Sequence, residues 1–180
     1  MTQGVNKHVL MLASNGFAEL FEPRQALLEA GVSVTLASID LEPIEGVAGT
    51  QQGGMVRQSI RPDTRLQDVD TARFDALVLP GGVVNPDRLR INADAIGIVR
   101  RFAAEGKLIA AICHAPSLLI EAELVRGRQL TGWLSLRTDL RNAGAEVLDQ
   151  PVVRDGNLLT SRMPEDLPRF CTALVDALGA

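Results

Sequence analysis

The stretch Leu108-Ile109-Ala110-Ala111-Ile112-Cys113-His114-Ala115-Pro116 decides the fold. It begins as an apolar run of strand length, reaches Cys113 and His114, and continues from Pro116 into a helical pattern. This order predicts a strand, a sharp turn and a helix, with the thiol on the turn, as in a nucleophile elbow. The N–H groups and dipole at a helix N-terminus favour thiolate over thiol, so Cys113 is a candidate nucleophile.

The same cysteine also has a purely structural interpretation. Free cysteines are among the most buried residues, and one at the end of a buried strand often serves as a small hydrophobic side chain. The local sequence does not separate the two interpretations. The second cysteine, Cys171, falls at helical spacing with Leu167, Leu174 and Leu178, which indicates a core position.

The composition is that of a globular protein. The chain has 180 residues, of which 46% are hydrophobic and 22% charged, and this predicts one soluble domain over residues 1–180. The net charge is −4, and no run of lysine or arginine occurs. We therefore expect no binding to a nucleic-acid backbone.

The N-terminal apolar segment and the two cysteines bear on location. Residues 9–13 are too few for the apolar region of a signal peptide, and no segment has the length that spans a bilayer. Two cysteines in a chain of this kind are expected to be reduced thiols. The sequence thus predicts a cytoplasmic protein with no membrane association.

Strand and helix patterns alternate outward from the elbow. Apolar runs at residues 7–13, 32–37 and 76–79 predict buried parallel strands, and residues 17–30 predict a helix that contains Glu19. The resulting fold class is α/β, a three-layer sandwich with a mainly parallel sheet. The remaining predictions are a surface excursion with one or two short strands at 40–62, helices at 92–105 and 134–142, a short strand at 129–131, a hairpin at 152–160 and a last helix from Pro164.

Three predicted strands end in unusual residues. The first leads through Ser14-Asn15-Gly16 to Glu19, the second ends at Pro80-Gly81-Gly82, and the third at Cys113-His114. Carboxyl ends of parallel strands meet at one edge of a sheet, where ligands bind. The glycine pair is either a plain turn or, with the His114 N–H, an oxyanion site, in which each donor contributes roughly 3 to 4 kcal/mol to a transition state.

The roles of Glu19 and His114 depend on their distance from the thiol. A lone Glu19 would be a solvated helical residue, whereas a protonated Glu19 beside Cys113 would donate a hydrogen bond to the thiolate and lower the thiol pKa. An ionised Glu19 would raise that pKa. Adjacent side chains on a sharp turn usually diverge, so for His114 a structural or interface role stands beside that of general base.

The elbow sequence from Ala111 to Pro116 resembles the AICHGP elbow of the ThiJ/PfpI superfamily, which includes intracellular protease I and the parkinsonism-associated protein deglycase. The resemblance covers nearly the whole chain and points to the bacterial general stress protein branch. In this chain Ala115 replaces the usual glycine, and Leu134 stands where close relatives often have proline. The other matching segments are Leu79-Pro80-Gly81-Gly82 and residues 85–90, 136–146 and 160–168.

The resemblance implies a flavodoxin-like fold, similar to the class I glutamine amidotransferase domain, with Cys113 as the nucleophile. Glu19, four residues before Pro23, matches the acidic partner, although the segment between Phe17 and Pro23 is two residues shorter than usual. Asp87 matches an acidic residue that reaches the histidine of a neighbouring subunit, here His114. A homodimer or higher homo-oligomer is thereby implied. Trp133 is expected to line the substrate pocket beside the oxyanion-binding glycines Gly81 and Gly82.

The leading functional hypothesis is a stress-response enzyme acting on small reactive carbonyls or on glycated protein, as glyoxalases and deglycases of the family do. Such chemistry needs no metal and no organic cofactor. One alternative is an intracellular cysteine peptidase with Cys113, His114 and Asp87 as a triad. Another is a redox sensor in which Cys113 is oxidised and Glu19 bonds the oxidised form.

Overall fold

The structure, a computed structural model, describes residues 6–49 and 54–180 of the chain. Short 3-10 turns at Leu66–Asp68, Thr71–Arg73, Leu134–Leu136 and Pro164–Asp166 connect its helices and strands. The strands are β1 His8–Leu12, β2 Ser33–Ser38, β3 Ile44–Gly49, β4 Met55–Ile60, β5 Thr64–Arg65, β6 Ala76–Leu79, β7 Leu108–Ile112, β8 Gln129–Leu130, β9 Glu146–Val147, β10 Val152–Asp155 and β11 Leu158–Ser161. The helices are α1 Phe21–Glu29, α2 Val84–Arg90, α3 Ala93–Ala104, α4 Pro116–Glu121, α5 Arg137–Asn142 and α6 Leu167–Leu178.

The central sheet has seven strands in the order β10-β11-β7-β6-β1-β2-β5. Every pair is parallel except β10 with β11, which form an antiparallel hairpin at one edge. The five strands β2-β1-β6-β7-β11 reproduce the flavodoxin-like order 2-1-3-4-5, in which the strand order reverses between the first and third strands. This reversal lies between β1 and β6 and marks the expected ligand site.

The two faces of the sheet are covered by different helices. Because side chains alternate along a strand, Leu10, Leu77 and Ile109 face one layer while Val78 faces the other. Helices α2 to α5 pack on the first face, and α1 and α6 pack on the second. The predicted three-layer α/β sandwich with a mainly parallel sheet is confirmed.

The helix predicted at 17–30 was wrong at its start. The N–H of Ala18 donates to the carbonyl of Gly81 at 3.1 Å, so this backbone joins the edge of the sheet instead of a helix. Glu19 follows with a φ of 53°, in the left-handed region, and α1 begins only at Phe21. A long-range backbone pairing therefore overrides the local helical pattern.

The other predicted elements agree with the structure, with differences at their ends, whereas α2, β5 and β9 were not predicted. Residues 40–62 contain the hairpin β3–β4, and the hairpin at 152–160 is β10–β11. The helix predicted at 134–142 starts as the 3-10 turn Leu134–Leu136 before α5, and β8 pairs with β9 outside the main sheet. Cys171 is half-buried against the second face, and none of the helices in the described ranges has the length and apolarity to cross a membrane.

The burial of Leu77 gives a test of the central sheet. Leu77 is fully buried on β6 and lies beside Leu10 and Ile109 in the register of the neighbouring strands. Leu77→Ala is expected to lower the free energy of unfolding in urea by about 2 to 5 kcal/mol, because it leaves a cavity in close-packed surroundings. Leu28→Ala is the matched control, since Leu28 is 40% exposed. An equal loss in both variants would contradict the assigned core.

Candidate active site

Cys113 lies on a strained turn between β7 and α4. Its φ is 64°, a left-handed conformation that costs a non-glycine residue of order 1–3 kcal/mol. The turn is held on both sides, since the N–H of Cys113 donates to Ser161 O at 3.1 Å and that of Ala115 donates to Ile112 O at 3.0 Å. Ala115 has a φ of −59°, so its methyl group in place of glycine is compatible with the backbone.

The structure brings the three unusual strand ends together. Gly81 lies between the carboxyl of Glu19 and the side chain of Cys113. A Cβ atom on Gly81 would overlap Glu19 Oε2 and would lie 2.6 Å from Cys113 Cβ. Only glycine fits at this position, and its absence of a side chain lets the acid and the thiol approach each other.

Backbone N–H groups converge on the acid and the thiol. The N–H of Gly82 lies close enough to the Glu19 carboxyl and the Cys113 thiol to lower the pKa of each, and the N–H of His114 lowers that of the thiol. Gly82 has a φ of 84°, which side-chain-bearing residues rarely adopt. These donors lie where negative charge would form on the sulfur, or on the oxygen of a substrate carbon that bonds to the sulfur.

Glu19 is a buried acid with an altered pKa. Its side chain is almost inaccessible, with 3% of the residue exposed, and Oε2 has no hydrogen-bond partner among the described residues. Burial, followed by the charge of Glu22, raises the pKa of Glu19 to about 7, against the opposing effect of the Gly82 N–H and with a smaller contribution from Glu165. Glu19 can therefore gain or lose a proton near neutral pH.

Cys113 does not show the depressed pKa that the helix N-terminus led us to expect. Burial, followed by the charge of Glu19, raises the pKa of its thiol to about 12, although the N–H groups of Gly82 and His114 oppose this. Desolvation is the largest of these effects. The contribution of Glu19 vanishes when Glu19 is protonated, so the two groups form a pair that carries one negative charge readily and two only at high pH.

His114 turns toward the thiol, contrary to the expectation that adjacent side chains diverge. Its Nδ1 is 3.4 Å from Cys113 Sγ, and its Nε2 is 3.4 Å from Ser135 Oγ. The imidazole stacks on Trp133 with ring centroids 5.5 Å apart, and the N–H of Trp133 donates to Cys113 O at 2.8 Å. These contacts hold the ring against the sulfur, and burial lowers the pKa of His114, which keeps the imidazole neutral at pH 7.

Comparison with known proteins identifies the family. The model of the DJ-1/PfpI family matches residues 7–177. The chain belongs to the DJ-1/PfpI family. This confirms the resemblance drawn from the elbow sequence. The solved structure of Drosophila melanogaster DJ-1beta superposes with a TM-score of 0.85 at 30% identity, covering 97% of this chain and 91% of that one.

Relatives in the DJ-1/PfpI family carry enzyme and stress-protein names. Deglycase PfpI of Pyrococcus furiosus is 41% identical over 172 residues, which is 94% of this chain and 98% of that protein. Two Bacillus subtilis relatives are each 38% identical. One is the putative cysteine protease YraA, over 92% of this chain and 95% of its own, and the other is general stress protein 18, over 85% and 86%.

Asp87 is not brought to His114 within one chain of this DJ-1/PfpI protein. It lies on the exposed side of α2, and its side chain makes no hydrogen bond or ion pair with any residue that the structure describes. The second ring nitrogen of His114 faces Ser135 instead of a carboxylate. A Cys-His-Asp triad would require Asp87 from a second copy, and this stays a prediction.

The sequence analysis missed the role of Asn85. This fully buried amide accepts from the N–H of Ser14 at 2.7 Å and donates to the carbonyls of Pro80 and Gly81 at 3.1 and 3.0 Å. It therefore ties the loop after β1 to the loop after β6. Asn85 belonged to a segment that carried the family resemblance, but nothing local distinguished it from a helix-cap residue.

Within the described ranges, no group of three or more His, Cys, Asp or Glu side chains is arranged to hold a metal ion. The site itself presents four kinds of chemical group. These are a thiol, a carboxyl that titrates near pH 7, a neutral imidazole and backbone donors.

The raised pKa of Glu19 predicts a pH dependence of stability. The pKa of Glu19 is about 7 in the folded protein, against 4.5 for an ordinary glutamate, so the folded state holds this proton more tightly than the unfolded chain. The resulting contribution to the free energy of unfolding is complete below pH 4.5 and is lost as the pH rises through 7. Between pH 5 and pH 8, wild type should lose about 2 to 3 kcal/mol of unfolding free energy that Glu19→Gln retains. Urea unfolding at both pH values measures this, with exposed Glu42→Gln as control. A parallel pH dependence in wild type and Glu19→Gln would refute the assignment.

Proposed function

We propose that this protein is a stress-response enzyme that uses Cys113 to act on reactive carbonyls such as methylglyoxal, free or attached to protein. The observation that carries the proposal is the buried pair of Cys113 and Glu19, whose side chains both lie against Gly81 and near the N–H groups of Gly82 and His114. The deglycase and stress-protein names of the relatives support the same chemistry. No metal or organic cofactor takes part.

The first step is attack by sulfur on the aldehyde carbon. Glu19, as a carboxylate, takes the proton from the Cys113 thiol, and the thiolate forms a C–S bond to C1 of methylglyoxal. The carbonyl oxygen becomes an alkoxide, which accepts hydrogen bonds from the N–H groups of Gly82 and His114. Glu19 then returns its proton to this oxygen, giving a hemithioacetal and leaving Glu19 ionised.

The second step moves hydrogen between the two substrate carbons. The Glu19 carboxylate removes the C1 proton to give an enediolate, and the proton of the C1 hydroxyl passes to the C2 oxygen. Glu19 then delivers its proton to C2, which leaves a lactate thioester on Cys113. Water cleaves the C–S bond, so that lactate and the free thiol are released. The sum is methylglyoxal plus water giving lactic acid, and a carboxyl with a pKa of about 7 is suited to both transfers.

A cysteine peptidase is the second candidate. The contact of 3.4 Å between Cys113 Sγ and His114 Nδ1 favours it, because an imidazole at that distance can accept the thiol proton. The relative described as a putative cysteine protease points the same way. The reaction additionally needs Asp87 of another copy to orient the ring, which makes it the more demanding of the two.

Lactate formation from methylglyoxal tests the leading proposal. Wild type and Cys171→Ser are expected to produce lactate, since Cys171 lies half-buried on α6 and takes no part in the site. Cys113→Ala should lose activity entirely, and Glu19→Gln should lose at least about a hundredfold, the usual contribution of a general acid–base. Consumption of methylglyoxal with lactate detection measures both. Undiminished activity of Cys113→Ala would rule out the thiol mechanism.

Replacements at His114 and Asp87 separate the two candidates. In a peptide-hydrolysis assay, His114→Ala and Asp87→Asn should abolish any turnover if a triad operates, because each removes a member of it. In the carbonyl assay both variants should keep measurable activity, since Glu19 moves the protons. Peptide hydrolysis that survives both changes would exclude the triad.

A further inference from the structure

The second ring nitrogen of His114 has a hydroxyl group as its neighbour. Ser135 Oγ lies 3.4 Å from His114 Nε2, while Nδ1 of the same ring lies 3.4 Å from Cys113 Sγ, so the imidazole stands between the hydroxyl and the thiol. Among the described residues, Ser135 carries the only polar side chain within hydrogen-bond distance of Nε2, and its hydroxyl forms no other hydrogen bond there. Contacts of this length in a free enzyme commonly shorten when substrate binds.

The short turn that carries Ser135 is held in place by charged side chains. Arg137, two residues after Ser135, pairs with Asp149 at 2.6 Å, and Asp149 also pairs with Arg162 at 2.8 Å. Arg162 directly follows β11, whose last carbonyl accepts the N–H of Cys113. One carboxylate thus links the backbone segment that presents the hydroxyl to the strand that holds the thiol.

A hydroxyl beside the imidazole permits an arrangement that a carboxylate does not. A carboxylate only accepts hydrogen bonds, so it keeps the proton on the ring nitrogen beside it and leaves the other nitrogen as a base, as in a catalytic triad. A serine hydroxyl both donates and accepts. It can donate to Nε2 of His114, and the proton of the neutral ring then lies on Nδ1, next to the sulfur.

The proposed reaction distinguishes the two positions of the ring proton. Glu19 takes the proton of the Cys113 thiol in the first step, so the sulfur becomes an acceptor that needs donors around it. Nδ1–H of His114 would be such a donor, in addition to the backbone N–H groups near the thiol. Burial lowers the pKa of His114, so at neutral pH the ring has a single proton to place.

We propose that Ser135 is a positioning residue whose hydroxyl donates to His114 Nε2 and thereby keeps the ring proton on Nδ1, where it stabilises the thiolate of Cys113. The inference rests on the proposed function, because it takes the sulfur as the nucleophile and Glu19 as the group that receives its proton. In this arrangement the imidazole supplies a hydrogen bond instead of a base. The carboxylate of Asp87 from another copy is then not needed to orient the ring.

Nitrogen-15 NMR measures the position of the ring proton. The chain has two histidines, and imidazole nitrogens with and without a proton give well-separated signals. At pH 8 we expect a protonated Nδ1 and a bare Nε2 for His114, assigned by the loss of these signals in His114→Gln. Ser135→Ala should move the proton toward Nε2, because the donor to that nitrogen is removed. Ser135→Thr keeps the hydroxyl and should keep the wild-type signals.

Alkylation of Cys113 gives a second readout that does not depend on turnover. Iodoacetamide reacts with thiolate, so its rate at pH 8 reports how well the site stabilises negative charge on the sulfur. Ser135→Ala should lower this rate about threefold to tenfold, the effect of one hydrogen bond, and Ser135→Thr should restore it. Ser59→Ala, which removes an exposed hydroxyl from β4, is the matched control and should react as wild type does. Mass spectrometry separates modification of Cys113 from that of Cys171.

The lactate assay connects the positioning role to catalysis. Ser135→Ala should lower kcat for methylglyoxal about threefold to tenfold and leave KM nearly unchanged, because the hydrogen bond strengthens only after charge forms on the sulfur. Its midpoint of unfolding in urea should equal that of wild type, since Ser135 is exposed. The loss of activity would then not be a loss of folded protein.

A bare Nδ1 in wild type, or the same ring signals in wild type and Ser135→Ala, would overturn the inference. A ring proton that moves in Asp87→Asn but not in Ser135→Ala would also overturn it, because a carboxylate from another copy would then orient the imidazole. If the NMR and alkylation results are as expected but wild type forms no lactate, the proposed function is overturned and the positioning role of Ser135 remains.

Discussion

The chemistry of this protein depends on one constraint, that two ionisable groups are buried at the same place. Cys113 and Glu19 are 5% and 3% exposed, and burial raises the pKa of both the thiol and the carboxyl group. At neutral pH the pair therefore holds at least one proton, on the sulfur or on the carboxyl group. Such a pair supplies a nucleophile and a proton carrier without any further group.

The fold produces this arrangement through the edge of the sheet. Glu19 follows β1, Gly81 follows β6 and Cys113 follows β7, so the three come together where the strand order reverses. Asn85 joins the first two loops by three hydrogen bonds. The left-handed backbone at Glu19 and Cys113 is unfavourable by itself, and the fully buried strands beneath these residues offset that cost.

Much of this could be predicted from the sequence, because it is encoded locally. Apolar runs between turn residues predicted β1, β6 and β7, and a thiol between a strand and a proline-led helix predicted the elbow. The helical pattern around Glu19 misled because the pairing of Ala18 with Gly81 spans some sixty residues. The spacing of apolar residues along the sequence contains no information on a contact between such distant residues.

The approach of His114 to the sulfur and the effect of Glu22 and Glu165 on Glu19 were beyond prediction for the same reason. The imidazole is held by Trp133 and Ser135, about twenty residues further along the chain. Glu22 and Glu165 meet only because α1 and the turn before α6 lie on the same face of the sheet. Only the folded chain shows that both charges act on Glu19.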